Sequence, residues 1–117
     1  MIEEIYFENV RRTAMVLIPK PTFYDWVRSM DGSQKLNPGL LGEPDVYLLP
    51  DFETPEDMEL WLNENYDYFF CEQMNNWWLD DNRWVKNRTF KMFKEYFDYS
   101  LHTMVWDCID GPIEKLS

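Results

Sequence analysis

Histidine, cysteine, glycine and positive charge are all scarce in this chain. Its 117 residues hold 1 His, 2 Cys and 4 Gly, and 11 Lys and Arg stand against 22 Asp and Glu. One histidine excludes every metal site built on a His pair, and no cysteine cluster replaces it. Cys71 and Cys108 are far apart and show no C-x-x-C spacing. Both read as reduced, buried, small side chains of a cytosolic protein. The glycines form no phosphate loop: Gly39 and Gly42 flank Leu40 and Leu41, without G-x-x-x-x-G-K or G-x-G-x-x-G.

The deficit of Lys and Arg gives a formal net charge of −11. That argues against nucleic acid as a partner, because such binding needs basic residues to displace counterions. It argues equally against an anionic membrane surface. Long apolar runs are also missing, so no membrane-spanning segment is expected. The N-terminal Met1-Ile-Glu-Glu-Ile-Tyr6 lacks the basic and apolar regions of a signal peptide.

Apolar and aromatic residues, by contrast, are abundant: 45% of the chain is hydrophobic and 18% aromatic, with 6 Trp. This length and composition fit a single domain, residues 1–117, with enough core to fold without disulfides or metal. Thr13–Ile18 is a β-branched-rich run ended by Pro19 and reads as a buried strand. Phe23, Trp26, Val27 and Met30 have helical spacing, with Thr22 as the expected cap. Residues 32–44 hold three glycines and two prolines and read as loop. Asp45–Leu49 reads as a second strand, closed by Pro50.

Thr54-Pro55-Glu56-Asp57 is a strong helix start, with a cap, a first-turn proline and acids facing the dipole. Met58, Trp61, Leu62, Tyr66, Phe69, Phe70, Gln73 and Trp77 follow at a spacing near four. Residues 55–77 therefore fit one long helix, or two with a break near Asn65. Asn87-Arg88-Thr89 opens another helix, and Tyr99–Ile109 reads as the last strand. That strand is apolar on both faces, which suggests a central position in a sheet. Residues 1–10 fit either a helix or an edge strand. The fold class is α+β: a small three- or four-stranded mixed sheet with helices packed on it, in the order β-α-β-α(α)-α-β.

Charge is segregated along the chain. Leu36 to Asn82 contains no Lys or Arg and twelve acids, whereas Arg83, Lys86, Arg88, Lys91 and Lys94 follow without an acid among them. One reading pairs the acidic helix with the basic one. The other makes the basic strip an anion site, with Arg88 in the first turn of a helix, or makes the acidic face a dock for a basic protein.

Few residues offer chemistry. His102 lies on a strand with Met104 and Trp106 and reads as a hydrogen-bonded interior residue; alternation puts Asp107 on the opposite face. The acids at residues 51–57 lack the central glycine and terminal Glu of a calcium loop and fit helix capping better. Trp77, Trp78 and Trp84 read as a small hydrophobic cluster under the connection, with interface anchoring as the competing role.

Asn87–Asp98 followed by Leu101–Asp107, together with Val46–Pro50 ahead of an acidic helix, resembles a family of small uncharacterised bacterial proteins across most of residues 13–113. The resemblance implies a bacterial cytosolic source and carries no activity.

No nucleophile–base pair, metal set or cofactor loop can be assembled from these residues, and no cofactor is expected. The sequence therefore favours a non-enzymatic acidic interaction domain of inhibitor or immunity type, binding a basic protein partner. Trp78, Trp84, Arg88 and His102 are its candidate binding residues. The competing reading is a small-molecule binder or enzyme with a pocket near His102, completed by Arg88, Tyr96 and the tryptophans.

Overall fold

The computed structural model describes residues 4–30 and 43–116. Most of the loop expected at residues 32–44 lies outside them. The elements run β1 (Glu8–Val10), β2 (Thr13–Pro19), α1 (Pro21–Met30), β3 (Asp45–Leu49), α2 (Pro55–Asn75), a 3-10 turn (Asp81–Arg83), α3 (Phe90–Tyr96), β4 (Phe97–His102) and β5 (Val105–Asp107). This is the α+β arrangement of small sheet and packed helices read from the sequence.

β2 is the central strand of the order β3-β2-β4. Both of its pairings are antiparallel, so the sheet is antiparallel throughout rather than mixed. Alternation along β2 buries Thr13, Met15, Leu17 and Pro19 and leaves Ala14, Val16 and Ile18 half-buried on the other face. The three helices cover the first face. Phe23 of α1, Phe70 of α2, Phe93 of α3 and Phe97 of β4 meet there, with ring centroids 5.0–6.1 Å apart. Such tilted and edge-on ring contacts add to the burial itself.

Local chemistry explains where the helices start. Pro21 is the first residue of α1, so the helix starts two residues earlier than a Thr22 cap would place it, because the fixed φ and missing N–H of proline suit that position. Thr54 caps α2 through Oγ1, which accepts the Asp57 N–H at 3.1 Å. Residues 55–75 then form one uninterrupted helix. Asn65 does not restart it; its side-chain amide donates to the Trp61 carbonyl at 2.8 Å. Thr89 caps α3 in the same way, accepting from the Met92 N–H at 3.1 Å. Just before it, Asn87 takes a left-handed φ of 55°, which Asn tolerates better than most residues.

The expected strand Tyr99–Ile109 is two strands, and the first is an edge strand, not a central one. Val10 faces Val105, yet Ala14 faces His102. Residues 11–13 thus oppose only residues 103–104, and the one-residue excess is a β-bulge. The Arg12 N–H turns back onto the Val10 carbonyl at 2.9 Å. Beyond the bulge, β1 and β5 form their own two-stranded ribbon, which settles residues 8–10 as strand rather than helix. Phe7 is 73% and Trp106 50% exposed there.

Candidate functional site

Among the described residues, Arg88 is the one member of the basic strip that forms an ion pair. Arg88 precedes the α3 cap and turns away from the helix start. Its Nε and Nη2 donate to both carboxylate oxygens of Asp67 at 2.6 and 3.2 Å, and Nη1 donates to the Val85 carbonyl at 2.9 Å. The hydrogen bonds to Asp67 hold the guanidinium pKa above its ordinary value. Tyr66 also donates to the Arg88 carbonyl at 2.9 Å. The expected charge pairing of α2 with the basic segment therefore rests on this one bidentate contact. Arg83 lies over the Trp78 ring, Lys94 lies over Phe90, and Lys86 donates to the Asp81 carbonyl.

Trp77, Trp78 and Trp84 do not form a cluster of their own. They are half-buried and pack on the rim of the main core. Trp84 donates its indole N–H to the Trp78 carbonyl at 2.8 Å, and Trp26 donates to the Arg83 carbonyl at 3.1 Å. The Trp78 indole nitrogen is buried with no hydrogen-bond partner. These side chains pin the 76–89 connection against α1 and α2.

His102 is exposed rather than interior. It ends β4 beside the bulge, on the open face of the sheet, where its Nε2 lies 2.7 Å from the Ser100 Oγ. The structure thus brings Trp78 and Trp84 together, holds Arg88 against Asp67 of α2, and sets His102 on the open face of the sheet. Cys71 and Cys108 are free and half-buried rather than buried. Burial raises the Cys71 thiol pKa, so the group is not an activated thiolate. Among the described residues, no group of three or more His, Cys, Asp or Glu is placed to hold a metal ion. No helix among them is long and apolar enough to cross a membrane.

A concavity lined by both carboxylates and aromatic rings lies elsewhere, where the end of β2, the start of β3, α1 and the C-terminal end of α2 meet. It is a cleft of about 280 Å³ lined by Pro19, Tyr24, Glu43, Asp45, Gln73, Asn76 and Trp77. The Tyr24 and Trp77 rings meet edge to face at 6.2 Å. Gln73 is only 3% exposed. Its amide donates to Asp45 Oδ2 at 2.6 Å and to the Tyr47 hydroxyl at 2.8 Å. Tyr47 in turn donates to Glu72 at 3.3 Å. Burial, with the negative charges of Glu72 and Asp45, keeps the Tyr47 phenol protonated well above its ordinary range, against the opposing pull of the Gln73 bond.

Sequence reasoning missed this site, although one signal was visible. Gln73 sits in the apolar stripe of α2, and a buried polar residue is more informative than its hydrophobic neighbours. Two further clefts are shallower in chemistry. One, of about 460 Å³, is lined by Asp67, Tyr68 and Cys71; the other, of about 400 Å³, by Phe7, Trp106 and Cys108. His102 lines none of the three.

Compared with family models, curated proteins and solved structures, the chain matches none.

Proposed function

We propose that this chain is an acidic interaction domain that binds a basic protein. One observation carries the reading: α2 and its approach present a run of exposed carboxylates, and among the described residues only Asp67 of that run is answered by a cation. Among the described residues only Asp25 and Asp67 take part in ion pairs. Glu53, Glu56, Asp57, Glu59, Glu64 and Glu72 stand exposed along and just before α2, and no Lys or Arg occurs from residue 36 to 82. A surface of this kind focuses negative potential and speeds the capture of a positively charged partner.

Exposed apolar groups lie within this field. Leu60 and Tyr68 face outward on α2, Tyr68 at 77% exposure. Apolar side chains rimmed by charge are the ordinary make-up of a protein interface.

The test compares the wild-type chain with a variant carrying Glu56→Gln, Glu59→Gln, Glu64→Gln and Glu72→Gln. Both are immobilised and offered the same cell extract, and each retained protein is purified. Its association rate with each chain is then measured across ionic strength. A basic protein whose association slows with salt, and slows further with the neutralised chain, is the expected result. Equal rates for the two chains, or capture of acidic proteins only, would overturn the reading.

A further inference from the structure

We infer that the cleft between Tyr24, Trp77 and Asp45 is a receptor for an organic cation, a guanidinium or alkylammonium on an aliphatic stem. Among the described residues the lining carries two carboxylates, Glu43 and Asp45, and no Lys or Arg. Neither carboxylate belongs to an ion pair among the described residues. An anion is repelled there, and a purely apolar ligand would strip water from the carboxylates without replacing it. A cation with a hydrocarbon stem satisfies both parts of the wall. The stem packs on Pro19 and the aromatic rings, and the charged head meets the carboxylates.

The cleft is built for this before anything enters. Gln73 is fixed in the core wall and holds Asp45 through Oδ2 at 2.6 Å, which leaves Oδ1 for an incoming donor. Gln73 is thus a positioning residue for the carboxylate. The second hydrogen bond of its amide, to the Tyr47 hydroxyl at 2.8 Å, keeps the side chain from swinging out. At about 280 Å³ the space is smaller than a drug-sized pocket and suits one side-chain-sized group.

Two sources supply such a cation: a free small molecule, or an Arg or Lys side chain of the basic partner proposed above. Only the second source rests on that proposal. The experiment is an NMR titration of the full chain, following the Trp77 indole N–H and the Gln73 side-chain amide. The probes are n-butylguanidinium, n-butylammonium and a short peptide with one central arginine flanked by glycines.

Saturable shifts at both reporters are expected with at least one probe. Asp45→Asn should weaken that binding about tenfold or more. Glu43→Gln, which removes a charge but no hydrogen bond of the fold, should weaken it less. Glu114→Gln, away from the cleft, should leave it unchanged.

Tighter binding of the peptide than of butylguanidinium supports a partner's side chain as the source. Equal or weaker binding of the peptide supports a free cation and counts against the basic-partner reading alone. Shifts that never saturate, that spread over all carboxylates, or that survive both Asp45→Asn and Glu43→Gln overturn the cleft assignment. If the peptide then binds elsewhere on the acidic surface, the partner reading stands without it.

Discussion

Arg88 grips Asp67 through two nitrogens and both carboxylate oxygens, at 2.6 and 3.2 Å, across twenty-one residues of sequence. The contact ties the segment before α3 to the middle of α2, and the third donor bond, to Val85, closes the connection on itself. The geometry needs the planar fork of a guanidinium. Arg88→Lys should therefore destabilise nearly as much as Arg88→Ala, by about 1–3 kcal/mol in urea unfolding. A lysine variant as stable as wild type would mean that charge alone, not the fork, is used.

Trp84 and Trp78 offer a paired comparison. Trp84→Phe removes a donor bond and orphans the Trp78 carbonyl, which should cost about 1 kcal/mol beyond the lost ring area. Trp78→Phe removes a buried N–H that has no partner. It should cost less than the Trp84 change, since the lost area is partly offset by a polar group no longer buried unpaired. Thermal unfolding of the two variants side by side tests the order.

The helix starts can be probed one at a time. Thr54→Ala and Thr89→Ala each remove a side-chain acceptor from an N-terminal N–H, and each should cost about 1 kcal/mol. The two sites share no partner, so the double variant should show the sum.

Stability should fall in alkali. Burial first, and then the nearby carboxylates, raise the phenol pKa of Tyr47 and of Tyr99, whose hydroxyl donates to Glu59 at 2.8 Å. Groups whose folded pKa is raised bind protons more tightly in the native state. Their contribution is complete below the unfolded tyrosine value of about 10 and is lost as pH rises through the folded values. Urea midpoints measured across that range should decline. Tyr47→Phe together with Tyr99→Phe should flatten the decline.

The ribbon of β1 and β5 is paired only within itself, and a lone two-stranded unit is marginal in water. Its amides should exchange with solvent faster than those of Met15 and Leu17 in the central strand. Equal protection would show that the ribbon is locked to the rest of the fold.

How much was legible follows from the range over which each signal acts. β3, the α2 start and the α3 cap were readable because Pro, Thr and β-branched runs act within a few residues. The split of the last strand was not, since the bulge is fixed by a one-residue mismatch with residues 11–13, about ninety positions away. Apolar residues on both faces of that segment suggested burial, whereas Met104 at the bulge and Trp106 beyond it are exposed. Arg88 was singled out for its charge, but its partner on α2 could not be chosen among many acids. The cleft joins Asp45, Gln73 and Trp77 with Tyr24, and no periodicity links the four.

The surface carboxylates repel one another, with 11 Lys and Arg to answer 22 Asp and Glu. Chemical unfolding by urea at increasing sodium chloride, from about 0.01 M to about 0.15 M, tests it most directly, because screening shortens to about 8 Å over that interval. The folded state should gain stability as chloride is added, since self-repulsion is screened. A loss of stability with added salt would contradict the account, because it would mean that attractive ion pairs dominate the surface.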